Sequence, residues 1–366
     1  MITLEESTSH QPRVRAELEA ALRQGPSHAY LFRGPSGSGK ARAARAFAAG
    51  ILSAGSADPE DSRRRALLDP SPHPDLVWLR PKGMSHAVQE IRDRIIHQAP
   101  LSPFEGSARV FVIEAADALN EESQNAMLKT LEEPAPHAHL ILLSAESEGL
   151  LPTIASRCQL IEFGSLPFEV IEAELDGLAS PEALHSAAKL AGGDLDKARF
   201  LAGKRGSALR VAAERLMTCA LEDEFAGSPW LDLLAQARSA GEHSGELVQA
   251  DFDEEKEEGI KHTKTEIEEA VRRAQRKTRT GMLDLGLHLA AAWARDWATV
   301  IAGAPDLAFN QDRLEVLEAQ AEGIELGQAR DAVSQIQETR RSFQLNVSEE
   351  LALEALAFRL EKTLRD

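Results

Sequence analysis

Gly34-Pro35-Ser36-Gly37-Ser38-Gly39-Lys40-Ala41 has the spacing of a phosphate-cradling loop, G-x-x-x-x-G-K-(S/T), at every position but the last. Gly34, Gly37 and Gly39 let backbone N–H groups wrap an anion, a following helix would aim its positive end at it, and Lys40 would neutralise phosphate charge. The eighth residue breaks the chemistry: a hydroxyl there ligates Mg²⁺, and the methyl of Ala41 has no oxygen to offer. Further on, Arg109–Ile113 reads as a buried strand running into Glu114, where a nucleotide-hydrolysing site places its metal-binding acid. Glu114 keeps one carboxylate long enough to reach a metal. Ala115 takes the place of the acid that would orient an attacking water, so a second part needed for hydrolysis is missing. Asp117 reads as a helix-entry acid rather than a catalytic one. Ser156-Arg157-Cys158 precedes a short strand, and the always-charged guanidinium of Arg157 suits a surface ion pair or a finger extended toward a neighbour's phosphate.

Elements to position these residues are legible along the first 165 residues. Short apolar runs at His28–Phe32, Leu76–Leu79, Arg109–Ile113, Leu140–Ser144 and Gln159–Phe163 predict strands. Between them Ala41–Leu52, Ser85–Gln98 and Asn120–Leu131 predict helices, the last capped by Asn120 and stopped before Pro134. Strand alternating with helix is the layout of a parallel α/β sheet. Ser53–Pro74, with Gly55, Pro59, Pro70, Pro72 and Pro74, reads as an irregular insertion. After Pro167 the strand signals stop: 168–205 holds short helical patterns broken at Gly192-Gly193, and 206–366 is almost wholly helical. Leu285, Leu289, Trp293, Trp297 and Ile301 recur every four residues, which predicts the core face of a bundle helix over a ligand box. Asp251–Glu258 is mostly acidic, whereas Arg272, Arg273, Arg276, Lys277 and Arg279 are crowded and basic. That cluster is either a solvated face or a partner- or DNA-facing patch.

A length of 366 residues leaves room for two or three domains, each with its own core. The net charge of −18 argues against strong autonomous DNA binding, although the field that matters is the local one. Cys158 and Cys219 lie far apart, so neither a disulfide framework nor a cysteine zinc module is expected, and a reducing cytoplasm is the expected compartment. Met1–Gln11 lacks the apolar core of a secretion signal, and the longest apolar run, Leu285–Ala294, is far shorter than a bilayer span.

The ordered set of His28-Ala-Tyr-Leu-Phe32, the phosphate-loop variant, His73-Pro74-Asp75, Val112-Ile113-Glu114-Ala-Ala-Asp117, Asn125-Ala-Met-Leu-Lys-Thr-Leu-Glu-Glu-Pro134 and Leu151-Pro-Thr-Ile-Ala-Ser-Arg-Cys158 resembles the delta-prime family of bacterial DNA polymerase III clamp-loader subunits. The motifs cover about residues 10–165; the helical remainder agrees in organisation. The resemblance implies an α/β AAA+ P-loop domain with a parallel sheet (1–165), a small helical lid domain (166–205) and an all-α collar domain (206–366) that holds a ring together. It implies a subunit that hydrolyses no ATP itself and lends Arg157 to a neighbour's site. The partners would be gamma or tau and delta, with the sliding clamp and primed DNA reached through the assembled ring.

This chain departs from many relatives in having no cysteine within Ser53–Pro74, so no zinc is expected, and His73 alone cannot replace that site. Gly193-Asp-Leu-Asp196 falls where hydrolysing relatives carry a phosphate-sensing arginine, and Ser144-Ala145 lacks their Thr/Asn pair. No cofactor is required on this reading; Lys40 and the loop amides would hold at most a nucleotide or phosphate without metal. The other readings are an ATP-hydrolysing gamma/tau-type motor and, remotely, a P-loop small-molecule kinase.

Overall fold

The computed structural model describes residues 3–365 except 82–85, 87, 146–148, 223–224, 226–227, 258–262 and 344–346, and the side chains of 251, 254–257 and 266 also lie outside the description. Ser85, Glu258 and the side chains of Asp251, Glu254, Glu255, Lys256 and Glu257, singled out above or lying in the acidic run, are therefore outside the description. The chain divides into two compact units, Met1–Pro167 and Phe168–Asp366.

The first unit is built on five parallel strands, β1 (Ala29–Arg33), β2 (Leu76–Leu79), β3 (Arg109–Ile113), β4 (Ala138–Ser144) and β5 (Gln159–Glu162), in the order β2-β3-β4-β1-β5. β3 and β4 are buried along their whole length, as a parallel sheet covered on both faces requires. Successive side chains alternate between two cores. Tyr30, Phe32, Val112 and Ile141 pack with Phe47 of the helix Lys40–Ser53, while Leu31, Phe111, Leu140 and Leu142 pack with Ile91, Met127 and Leu131. The helix expected at Asn120–Leu131 is Glu121–Glu132, with the Asn120 side chain accepting from Ser123 N at 2.8 Å. The one expected from Ser85 is helical over Val88–Ile91 and then widens into a π-turn, Arg92–Ile96.

Ser53–Pro74 is not the irregular insertion its prolines predict. Pro59–Leu67 is a helix whose first residue is Pro59, where the missing N–H costs nothing, and the Asp58 side chain caps it by accepting from Asp61 N at 3.1 Å. Ser62 and Ala66 on its inner face are fully buried. His73 is buried against this helix, its Nε2 2.9 Å from Ser62 Oγ and its Nδ1 3.2 Å from Asp75 N. A backbone N–H only donates, so Nδ1 is the acceptor and the neutral ring donates from Nε2 to Ser62.

Burial holds the His73 pKa below its ordinary value of 6.5. The unfolded chain therefore takes up this proton first, so the contribution of His73 to stability is complete above about pH 6.5 and is lost as pH falls below it. NMR titration of the ring is expected to give a pKa under 6.5; a value at or above that contradicts the assignment.

The second unit is helical throughout, with no strand among the described residues. The segment expected as collar, 206–366, and the expected lid from Phe168 onward belong to this one unit. Its longest helix, Lys264–Ile301, carries the four-residue stripe. Leu289, Trp293 and Trp297 are buried, and both indole N–H groups donate to Gln320 Oε1 at 3.0 Å, which marks core rather than a ligand box. Leu285 and Ile301 are half-buried at the ends of the stripe.

Candidate functional site

The glycine-rich loop leaves the carboxyl end of β1, which lies between β4 and β5, and it is outside the carboxyl ends of their strands that open α/β sheets bind ligands. Gly37 and Gly39 have φ of 68° and 87°, left-handed values that glycine adopts without strain. A Cβ on Gly34 would lie 2.3 Å from the carbonyl oxygen of Phe163, so the loop is packed against the end of β5. Lys40 Nζ donates to the carbonyls of Gly34 at 2.9 Å and Pro35 at 3.0 Å. Gln11 ties down the loop's flank: its Nε2 donates to Gly164 O at 2.7 Å and Ser38 O at 3.4 Å. Gly34, Gly37, Gly39 and Lys40 thus come together in one loop, with Lys40 folded onto its carbonyls.

The acid after β3 is not poised for a metal. Register places Leu79 of β2 opposite Ile113, so Arg80 and Glu114 come out side by side. Arg80 Nε donates to Glu114 Oε1 at 3.0 Å and the Trp78 indole N–H donates to the same oxygen at 2.6 Å. Arg80 also forks onto Asp69 at 3.0 and 2.6 Å, which holds the Asp69 carboxyl below its usual range. Arg45, stacked 4.2 Å above the Trp78 ring, closes the group through its 3.0 Å ion pair with Asp69. Glu114, expected from the sequence to be long enough to reach a metal, has its Oε1 already engaged by Trp78 and Arg80. With Ala41 and Ala115 alongside, the donor set does not fit catalytic Mg²⁺. Among the described residues no group of three or more His, Cys, Asp or Glu side chains could hold a metal ion. Asp117 lies in the 3-10 turn Ala116–Ala118 and its carboxylate accepts from Ala145 N at 3.4 Å, so this helix-entry acid also ties β4 down.

Arg157 is at the other end of the sheet. Tyr30 pairs with Gln159, so Arg157 precedes the amino end of β5 by two residues, whereas Gly34 follows the carboxyl end of β1. At about 3.3 Å per residue the sheet separates them by roughly 20 Å, farther than a side chain spans. Its guanidinium is partly exposed: Nη2 donates to Glu132 Oε1 at 2.7 Å and Nη1 to Thr153 O at 2.9 Å. Neighbouring Cys158 is no rival nucleophile, because burial pushes its thiol up to about 12.

Asp194 caps the helix Leu195–Ala202 by accepting from Lys197 N at 2.9 Å, so the acid in the expected phosphate-sensing stretch has a structural task. Of the basic cluster, Arg272, Arg273, Arg276 and Lys277 are exposed on the helix Lys264–Ile301. Arg279 is half-buried and paired with Glu349 at 2.7 Å.

The sequence signals missed the grouping of Trp78, Arg80, Asp69 and Arg45 around Glu114, and, although Glu132 lies in a motif they marked, its pairing with Arg157. An arginine after β2 and an acid after β3 become partners once those strands are known to be neighbours; no local pattern marks them.

The family model for DNA polymerase III, delta subunit, matches residues 10–167. DNA polymerase III subunit delta' of Bacillus subtilis is 33% identical over 177 residues, 48% of this chain and 54% of that protein. Subunit delta' of Pseudomonas aeruginosa is 32% identical over 217 residues, 56% of this chain and 64% of that protein. Subunit tau of Bacillus subtilis is 32% identical over 178 residues, 48% of this chain and 31% of that protein. The chain thus spans between half and two thirds of the length of the delta' relatives it matches. No helix among the described residues is long and apolar enough to cross a membrane.

Proposed function

From a chain that belongs, through residues 10–167, to the DNA polymerase III delta-subunit family, we propose a delta-prime-type clamp-loader subunit that hydrolyses no ATP and completes a neighbour's ATP site with Arg157. The observation that carries this reading is the position of Arg157, at the amino edge of a sheet whose own phosphate loop is at the carboxyl edge. An arginine so placed has no route to its own loop and is free to meet a phosphate presented by an adjoining chain. Its planar fork of donors stabilises charge on a γ-phosphoryl group during transfer, the role of an arginine finger.

On this proposal the ring contains gamma or tau and delta chains, and reaches the sliding clamp and primed DNA as an assembly in the bacterial cytoplasm. Residues 166–205 serve as the lid and 206–366 as the collar. The exposed basic face at Arg272, Arg273, Arg276 and Lys277 is either solvated or turned toward a partner or DNA. Co-purification with gamma or tau and delta chains, followed by turnover of the complex carrying Arg157→Ala, tests the reading.

The 32% identity to a tau subunit favours the motor as the second reading. Ala41, Ala115 and the Arg80-neutralised Glu114 weigh against it. Purified chain given Mg-ATP is expected to release no phosphate above background in a coupled assay. Sustained turnover at the usual enzymatic scale of about 1 s⁻¹ or more restores the motor.

A further inference from the structure

The partner of Arg157 is placed where helix energetics disfavour it. Glu132 is the last residue of the helix Glu121–Glu132, at the negative end of the helix dipole, where a carboxylate is destabilising. It carries no capping bond; its oxygen accepts from Arg157 Nη2 at 2.7 Å. Both sides of the pair are rooted in one core. Leu131, next to Glu132, and Ile154, in the short helix Pro152–Ala155 that leads to Arg157, are buried in the same cluster. Gln124 fastens these two segments by donating to Gly149 O at 3.0 Å and accepting from Leu151 N at 2.7 Å.

The contacts hold the guanidinium from one side. Nη1 is taken by Thr153 O at 2.9 Å and Ser156 Oγ at 3.4 Å, and Nη2 spends one of its two hydrogens on Glu132. The second Nη2 hydrogen is left for an incoming oxygen. An unrestrained arginine explores many rotamers, and fixing them in advance removes that entropy cost from the reacting complex. We propose that Glu132 is a positioning residue: it pre-sets the Arg157 fork that the neighbouring chain's γ-phosphate meets. This rests on the reading of Arg157 as a finger.

The test uses the complex reconstituted with its hydrolysing and delta chains, measuring kcat and KM for ATP. Glu132→Ala is expected to lower kcat about tenfold with KM unchanged, the signature of a contact that matters in the transition state. Glu132→Gln keeps the accepting oxygen and is expected to recover most of the loss. Glu132→Asp keeps the charge but withdraws the oxygen by one methylene; it should fall with alanine, and it decides the matter if the alanine variant does not assemble. Arg157→Ala is run in parallel. If that variant collapses turnover while Glu132→Ala and Glu132→Asp match wild type, the positioning role is overturned and the finger stands. If either of those two variants raises kcat, the carboxylate restrains the finger instead, and the proposal is equally overturned. If Arg157→Ala leaves turnover intact, the finger reading itself has failed.

Discussion

Arg157→Ala is expected to lower ATP turnover at the neighbouring site of the reconstituted complex about 10³-fold or more, the scale on which arginine fingers act. The side chain is only partly buried, at 34% exposure, and its ion pair is with a Glu132 that is 49% exposed. Exposed pairs contribute about 0–1 kcal/mol, so the variant should fold and assemble like wild type. The loss should appear in kcat rather than in ATP affinity, because the fork is matched to charge that develops as the phosphoryl group transfers. Arg157→Lys should rescue little: an ammonium is a point charge without the planar pair of donors. Disabling the other hydrolysing copies through their phosphate-loop lysines isolates the affected site, and single-turnover rates then read it directly. Undiminished turnover in that arrangement would remove the finger from the account.

The second large effect concerns the fold that carries the site. Asp75→Ala is expected to destabilise the first unit by about 3–5 kcal/mol, the usual loss when one member of a buried charged pair is removed. The carboxylate is 1% exposed and accepts from Phe104 N and Glu105 N, both at 2.8 Å, with Arg109 Nε 3.6 Å away and itself 3% exposed. Alanine would orphan two amides and take the carboxylate from a buried guanidinium, which keeps its bonds to Gln98 O and Oε1 at 3.2 Å and its contacts with the Phe104 and Phe111 rings. Asp75→Asn keeps an acceptor and should lose less. Against a typical total of about 5–15 kcal/mol, the alanine variant should shift the denaturant midpoint strongly; a change under about 1 kcal/mol would contradict the assignment. The consequence reaches the neighbouring charged group, because Asp75 directly precedes β2, which carries Trp78 and leads into Arg80, the two donors to Glu114.

His73-Pro74-Asp75 shows how far local reading went. Its residues were marked as a motif, yet their work is architectural: His73 on Ser62, Asp75 on the backbone of 104–105. The inner strands were readable because parallel strands covered on both faces are apolar almost throughout, and Leu76–Leu79 and Arg109–Ile113 emerge with the bounds their sequences predict; β5, with Gln159, Leu160 and Glu162 exposed, is the exception. Pro59–Leu67 was misread because proline punctuates loops and opens helices alike, and only the burial of Ser62 and Ala66 decides between them.

By itself the sequence determined which chemical groups this protein lacks, since a methyl at Ala41 or Ala115 cannot become an oxygen in any fold. It also determined the glycine-and-lysine spacing of residues 34–40 and the presence of one always-charged arginine before the last described strand. What only the tertiary structure decided is how the remaining charges are used. Glu114 is 34 residues from Arg80, and Arg157 is 25 residues from Glu132. Those pairs exist because strand order and register bring distant segments within hydrogen-bond range, and side-chain charge is governed by neighbours in space rather than along the chain. The same register sends Arg157 to the end of the sheet opposite its own glycine-rich loop, a separation that no local sequence pattern reveals.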